Sequence, residues 1–348
     1  MDISLFHPMD FQPNRHPTID QLFHDAVACA HHAEQLGYRA FFVTEHHFCH
    51  YGALPDPLQL LAYLGATTSQ IQLGSAILVL PFHDPRRLAS SLAQADLLTH
   101  NRLLWGVGSG FLPYEFSAFG LNSKQKREQF DHIHRITELL LSNSAQAVAA
   151  CGETDHLILN VPVHDSLLDR RYIAGTGTRS PYFIGQQGAH LLFSPFESFR
   201  SPFSDVGDGI QAYRDGRTAS QLDPKGGKVI TSVFCHVAES DEVARRNVQP
   251  YFDQYVSTRN QPPLPVTHPG CFYDPYFEAG LTLFGSEATV RHQIQRLAQA
   301  GVDHIMTVQH FGGMPLAMAE RSMTLLKEIT TELMNEPTHS PASSIANE

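Results

Sequence analysis

The stretch QLGSAILVLPFHDPRRLASSLAQADLLTHNRLLWGVGSG (72–110) carries the reading that decides the fold. Residues 72–82 are almost all apolar. An unbroken apolar run suits a strand buried on both faces of a parallel sheet; a half-exposed strand would alternate. Helical sequence follows over 85–98, opened by Pro85. A second apolar run, 102–110, predicts the next strand. Strand, helix and strand in so short a span make a βαβ unit, which joins parallel neighbours by a crossover helix.

The same unit recurs in both directions. Upstream, 3–8 predicts a strand and 18–36 a helix, with Ala26, Val27, Ala30, Ala33 and Leu36 at helical spacing and Gly37 as its stop. Residues 39–48 contain a second strand, and Pro55 and Pro57 introduce a helix through 59–64. Downstream, a helix fits 125–142, a strand 170–175, a helix 179–189 and a short strand HLLFS (190–194). A Gly/Pro/Ser-rich segment, 194–227, reads as irregular. Then come a strand over 228–237 and a helix over 240–256. The proline-rich segment 257–284 reads as an irregular excursion. A helix over 286–300 ends at Gly301, a last strand spans 302–311, and a final helix covers 315–334. Strand and helix alternate about eight times. That predicts an α/β fold of the (β/α)8 TIM-barrel type with insertions at about 194–227 and 257–284, in one domain over 1–335. An open doubly wound sheet is the alternative. The polar tail 336–348 is expected to be disordered.

Composition narrows the function. The 348 residues are 42% hydrophobic and 17% charged, a globular balance. The net charge of −11 argues against binding nucleic acid or an anionic membrane surface. No apolar run is long enough for a membrane span, and MDISLFHPMD has no secretory pattern, so a cytoplasmic location is expected. Five cysteines, none spaced as C-x-x-C, argue against a disulfide framework or a cysteine-rich zinc site. The 21 histidines are many, and some are paired, as at His46-His47.

In a barrel, chemistry collects just beyond the C-terminal ends of the strands. Thr44-Glu45-His46-His47 closes the second strand. A histidine there can act as acid, base or hydrogen-bond donor, and Glu45 could set its tautomer. Glu45, His46, His47 and His50 are close in sequence, yet neighbours on a strand point to opposite faces and the spacing is not that of a zinc helix, so no metal is expected. Gly74-Ser75-Ala76-Ile77 in the third strand either lets something flat approach or fills the barrel taper. Gly106-Val107-Gly108-Ser109-Gly110 leaves backbone amides open to a ligand, or simply makes a tight turn. It is not a dinucleotide fingerprint. Gly175-Thr176-Gly177-Thr178-Arg179-Ser180 leads into a helix N-terminus, a natural anion site, or is an ordinary cap. Without a following lysine it suits a phosphate monoester such as that of FMN rather than a nucleoside triphosphate. Arg127 is a second phosphate candidate, or a solvated helix charge.

Five segments in order resemble the bacterial luciferase-like family of flavin-dependent monooxygenases: VTEHHFCHYG (43–52), the block 64–110, FSAFGLNSKQKR (116–127), AGTGTRS (174–180) and QHFGGMPLAMAERSM (309–323). The resemblance covers most of the chain. It implies an FMN-binding barrel with the flavin at the C-terminal mouth. Reduced FMN comes from a separate flavin reductase, and molecular oxygen forms a peroxyflavin that oxidises a small-molecule or carrier-tethered substrate. It implies a homodimer. By position it assigns catalysis to His46, with Glu45 orienting it. Cofactor binding falls to Ser75, Ala76, Ile77, Gly108, Ser109, Arg127, Thr176, Gly177, Thr178 and Arg179, with a cis peptide at Ala76–Ile77. Luciferase has an arginine where this chain has Ser109; Arg179 is the candidate replacement. Segment 257–284 stands where the family has a mobile lid. Its Phe272, Tyr273, Tyr276 and Phe277 either line a substrate pocket or anchor the loop. Relatives on this barrel also include deazaflavin-dependent hydride transferases and a non-catalytic partner subunit, which are the alternative readings.

Overall fold

A computed structural model describes residues 1–16, 18–142, 159–195, 206–259, 272–278, 280 and 282–335. Its strands are β1 (Asp2–His7), β2 (Ala40–Val43), β3 (Gln72–Val79), β4 (Leu103–Gly108), β5 (Arg171–Gly175), β6 (His190–Phe193), β7 (Val229–Val237), β8 (Thr282–Gly285) and β9 (His304–Val308). Seven of them, β1 to β7, pair with their sequence neighbours in parallel, and β9 closes the ring between β7 and β1. The result is a closed eight-stranded parallel barrel ringed by helices, the (β/α)8 architecture expected from the apolar runs.

Local sequence explains the main elements. Helices Pro57–Thr67 and Pro85–Leu98 both begin with Asp-Pro. The Asp56 and Asp84 carboxylates accept from backbone N–H groups of the first turn, and proline fills the position where no donor is missed. Side chains alternate along β2. Ala40 and Phe42 enter the barrel with Leu104, Tyr172, Leu192, Ile230 and Met306, while Phe41 and Val43 join the layer between strands and helices. Gly74 has a packing reason: a Cβ there would lie 2.4 Å from the Phe42 ring. Trp105 is fully buried in the outer layer, its indole N–H donating to the Leu167 carbonyl at 2.8 Å.

Four elements depart from the sequence reading. Helix Val206–Ala219 occupies part of the segment read as irregular. Its glycines weaken the helical signal, but they allow close packing: a Cβ at Gly216 would fall 1.9 Å from the Tyr182 carbonyl oxygen, and one at Gly185 of the facing helix 2.2 Å from that of Tyr213. Helix Pro113–Ala118 stands just beyond β4. Strand β8 lies within the segment read as excursion and pairs with β7 from Phe234 to Val237, past the point where β6 stops. Helix Tyr273–Glu278 precedes it. The rest of that segment, residues 260–271, and the tail 336–348 lie outside the described residues.

Candidate active site

A cavity of about 360 Å³ opens at the C-terminal ends of the strands. Its wall includes Phe6 of β1, Thr44-Glu45-His46 after β2, Ala76, Ile77 and Val79 of β3, and Gly108-Ser109-Gly110-Phe111 at the end of β4. Further round the rim come Ala174, Gly175, Thr176 and Ser180 from β5 and its helix, Leu192 and Ser194 at β6, Ser232 and Phe234 of β7, and Met306 and Val308 of β9. The peptide between Ala76 and Ile77 is cis, as the resemblance implied. Gly108 leaves room for Ile77: a Cβ there would lie 2.2 Å from Ile77 Cδ1, so that side chain would have to shift.

His46 and Glu45 do not act on each other. Beyond the end of β2 their side chains take different partners. The Glu45 carboxylate, 1% exposed, accepts from His47 Nε2 at 2.8 Å, His83 Nε2 at 2.9 Å and the Val79 N–H at 2.7 Å. Burial alone would raise this carboxyl, but those donors and the nearby His83 hold it below its usual value. Burial likewise opposes charge on His83, and the Glu45 carboxylate outweighs it and raises that imidazole. The orientation of His46 comes instead from Glu115 on helix Pro113–Ala118. Its Oε1 accepts from His46 Nδ1 at 3.1 Å and from the His47 backbone N–H at 2.8 Å, and it too is 1% exposed. With Nδ1 committed to a carboxylate, Nε2 is the ring nitrogen left for chemistry in the cavity. Sequence reasoning missed Glu115. Its signal is a lone acid inside the apolar run FLPYEF (111–116).

The expected cofactor contacts divide. Ala76, Ile77, Gly108, Ser109, Arg127 and Thr176 line the cavity. Ser75 does not. It is fully buried, and its hydroxyl donates to the Gly106 carbonyl at 2.9 Å and accepts from the Gly106 N–H at 3.0 Å, tying β3 to β4. Gly177, Thr178 and Arg179 flank the cavity without lining it, and the Arg179 guanidinium lies 6.0 Å over the Phe183 ring. The Thr178 side chain does not cap its helix. Ser180 instead accepts from the Thr176 N–H and donates to the Thr176 carbonyl. Lys126, which the sequence reading passed over, lines the cavity, and its Nζ donates to the Gly110 carbonyl at 2.9 Å. Arg127 pairs with Asp131 at 3.0 Å, both half exposed, a pair worth about 0–1 kcal/mol that a phosphate can displace.

An aromatic group surrounds His46. Tyr51 stands 4.7 Å from it and Phe111 meets it edge-on at 5.9 Å, centroid to centroid. Tyr255, from helix Asp241–Arg259, lies 5.7 Å from Tyr51. Tyr273 and Tyr276 are buried against Phe284 and Phe252, and neither they nor Phe272 and Phe277 line the cavity, so these rings anchor their segment.

The histidines beside Glu45 do not gather as a metal cage: His46 turns to Glu115, His47 to Glu45, and His50 packs on Phe11. Among the described residues, the ligand atoms of His7, Cys29 and His310 lie within 4.8 Å of one another. Their hydrogen bonds fit a proton-sharing chain. The Met9 N–H donates to His7 Nδ1, which leaves the proton on His7 Nε2 to reach His310 Nδ1 at 2.9 Å. Burial holds both imidazoles low and pushes the Cys29 thiol up. No described helix is long and apolar enough to cross a membrane.

The profile of the family described as luciferase-like monooxygenase matches residues 1–304. The chain belongs to that family. Limonene 1,2-monooxygenase of Rhodococcus erythropolis is 25% identical to this luciferase-like chain over 289 residues, covering 79% of it and 72% of the relative. One curated relative is matched over 32% of its length and another over 91%. The barrel also superposes on solved structures. Monooxygenase RslO1 from Streptomyces bottropensis gives a TM-score of 0.78 at 23% identity, covering 96% of this chain and all of that one. The oxygenating constituent of 3,6-diketocamphane monooxygenase from Pseudomonas putida, solved with FMN, gives 0.71 at 17% identity, covering 94% and 97%. At these identities the two structures speak for the fold.

Proposed function

We propose that this luciferase-like chain is the oxygenase of a two-component, reduced-FMN-dependent monooxygenase acting on a small organic substrate. One observation carries the reading: a single cavity joins an apolar floor, a rim of hydroxyl and cationic donors, and a histidine held by a buried carboxylate. The donor set fits FMN. Ala76, Ile77, Ala174, Leu192 and Met306 would lie under the ring system, and Lys126, Arg127, Thr176, Ser180 and Ser194 would hold the phosphate. Reduced FMN, when bound, supplies two electrons for cleaving O2, one oxygen atom entering the substrate and the other leaving as water. Glu115 fixes the His46 ring, so that Nε2 can hold or pass a proton at the reacting centre. Glu45, joined to His47, His83 and the end of β3, braces the loop that carries His46. The aromatic rings around His46 exclude water, which limits wasteful loss of peroxide.

The test supplies FMN and an unrelated flavin reductase, and follows oxygen uptake and peroxide release with and without candidate substrates. The His46→Ala variant is expected to bind FMN within about threefold of wild type, a difference under 1 kcal/mol, yet to release nearly all consumed oxygen as peroxide. Normal coupling in that variant would remove His46 from the mechanism.

A further inference from the structure

The rim of the mouth divides by strand order. The arc of β4, β5 and β6 contributes Lys126, Arg127, Thr176, Ser180 and Ser194. The loop after β2 contributes Tyr51, and β7 with its following helix contributes Phe234 and Tyr255. Phe111 reaches over from the end of β4 to touch His46. The rings form a continuous surface: Tyr51 meets Phe111 edge-on at 6.4 Å, and Tyr255 meets Phe234 at 5.4 Å. The phenol of Tyr255 reaches that of Tyr51 at 3.4 Å, which leaves polar edges on an otherwise apolar wall.

We infer that this wall selects an uncharged substrate bearing an aromatic or conjugated planar ring, stacked against Tyr51 and Phe111 with its oxygen-bearing edge toward His46. The inference rests on the flavin reading, because the same cavity must place the reacting atom over the cofactor. Ring geometry is the first argument. Aromatic side chains at 4.7 to 6.4 Å in tilted and edge-on arrangements present both faces and edges to an incoming ring. A saturated chain or cage would gain the same burial but none of the stacking preference. Charge is the second argument. Among the described lining residues the two cations, Lys126 and Arg127, stand on the β4–β6 arc, where the phosphate would use them. Next to His46 stand the carboxyl of Glu45, which accepts from His47, His83 and the Val79 N–H, and that of Glu115, whose Oε1 accepts from His46 and the His47 N–H. A carboxylate or sulfonate placed there would face two buried carboxylates and, among the described lining residues, neither a lysine nor an arginine.

Calorimetric titration of the full chain, with and without saturating oxidised FMN, tests this with three probes of one skeleton: 2-naphthol, decahydro-2-naphthol and 2-naphthalenesulfonate. The aromatic alcohol should bind at least about tenfold tighter than the saturated one, the gain expected of one to two ring contacts, and tighter than the sulfonate by at least as much. Phe111 is 38% exposed, so Phe111→Leu leaves the core intact. This variant should lower the aromatic-to-saturated ratio by about threefold or more, with FMN affinity unchanged. Tyr51→Leu should act in the same direction. Equal binding of the two alcohols, a preference for the sulfonate, or an unaltered ratio in Phe111→Leu would overturn ring selection. Failure of FMN to bind would refute the flavin reading instead, and the flavin-free titration would still report the ring preference on its own.

Discussion

Replacing Glu115 by glutamine should loosen His46 without emptying the site. Two donors, His46 Nδ1 and the His47 N–H, converge on one oxygen, Oε1, at 3.1 and 2.8 Å. A glutamine can keep an oxygen there and place its amide nitrogen where Oε2 stood. What it loses is charge. Hydrogen bonds to charged groups contribute about 1.5–3 kcal/mol, against about 0.5–1.5 for neutral ones. The difference is about 1 kcal/mol per bond, or about 2 kcal/mol for the two. Glu115→Ala removes the acceptor outright and leaves two buried donors unpaired, at about 1–3 kcal/mol each. The order of stability is therefore wild type, Gln, Ala. Urea unfolding can be followed through Trp105, the single tryptophan and fully buried. A second readout separates positioning from simple bracing. Nitrogen-15 spectra of the His46 ring should show the proton on Nδ1 in wild type and a mixed population in Glu115→Gln. Turnover should fall by about tenfold, equivalent to about 1.4 kcal/mol, with FMN affinity unchanged. Stability within 0.5 kcal/mol of wild type, a spread that ordinary surface changes show, together with an unshifted ring spectrum, would refute the assignment of Glu115.

Other outcomes follow from the same geometry. Gly108→Ala should push Ile77 into the flavin floor, costing about 1–3 kcal/mol of overpacking, and fluorescence titration should show weaker FMN binding. Arg127→Ala should weaken FMN about tenfold through one lost charge-assisted contact and flatten the salt dependence of binding, while the melting temperature barely moves because its pair with Asp131 is half exposed. Asp10 is buried, and burial lifts its carboxyl to about 7 despite donors from Gln12 and Gly312. An acid raised in the fold is unstrained while protonated. Its penalty begins as pH rises past the ordinary value near 4 and is complete above about 7, reaching roughly 4 kcal/mol. Asp10→Asn should therefore gain stability over wild type as pH increases from 4 to 8, and unfolding curves at the two ends would check the sign.

The barrel was legible because its strands are buried on both faces and so appear as unbroken apolar runs. Strand β8 escaped because TLFG (282–285) is only one turn of sequence beyond a proline-rich stretch. Helix Val206–Ala219 escaped because the glycines that let it pack closely are the ones that blur helical periodicity. His46 was legible from its place at a strand end. Its partner was not, since Glu115 comes from the short helix after β4, and sequence adjacency pointed to Glu45, which is taken up by His47, His83 and the Val79 N–H instead. Ser75 and Arg179 show the same limit. Each sits in a stretch that borders the cavity, yet one side chain is spent on Gly106 and the other lies over Phe183.

The central claim is that this mouth holds a flavin by its phosphate. The most direct measurement compares the affinities of reduced FMN and reduced riboflavin under anaerobic conditions, the two differing only in that phosphate. FMN is expected to bind at least about tenfold tighter, the contribution of one or two charge-assisted hydrogen bonds. Equal affinity for the two, or no binding of either, would contradict it.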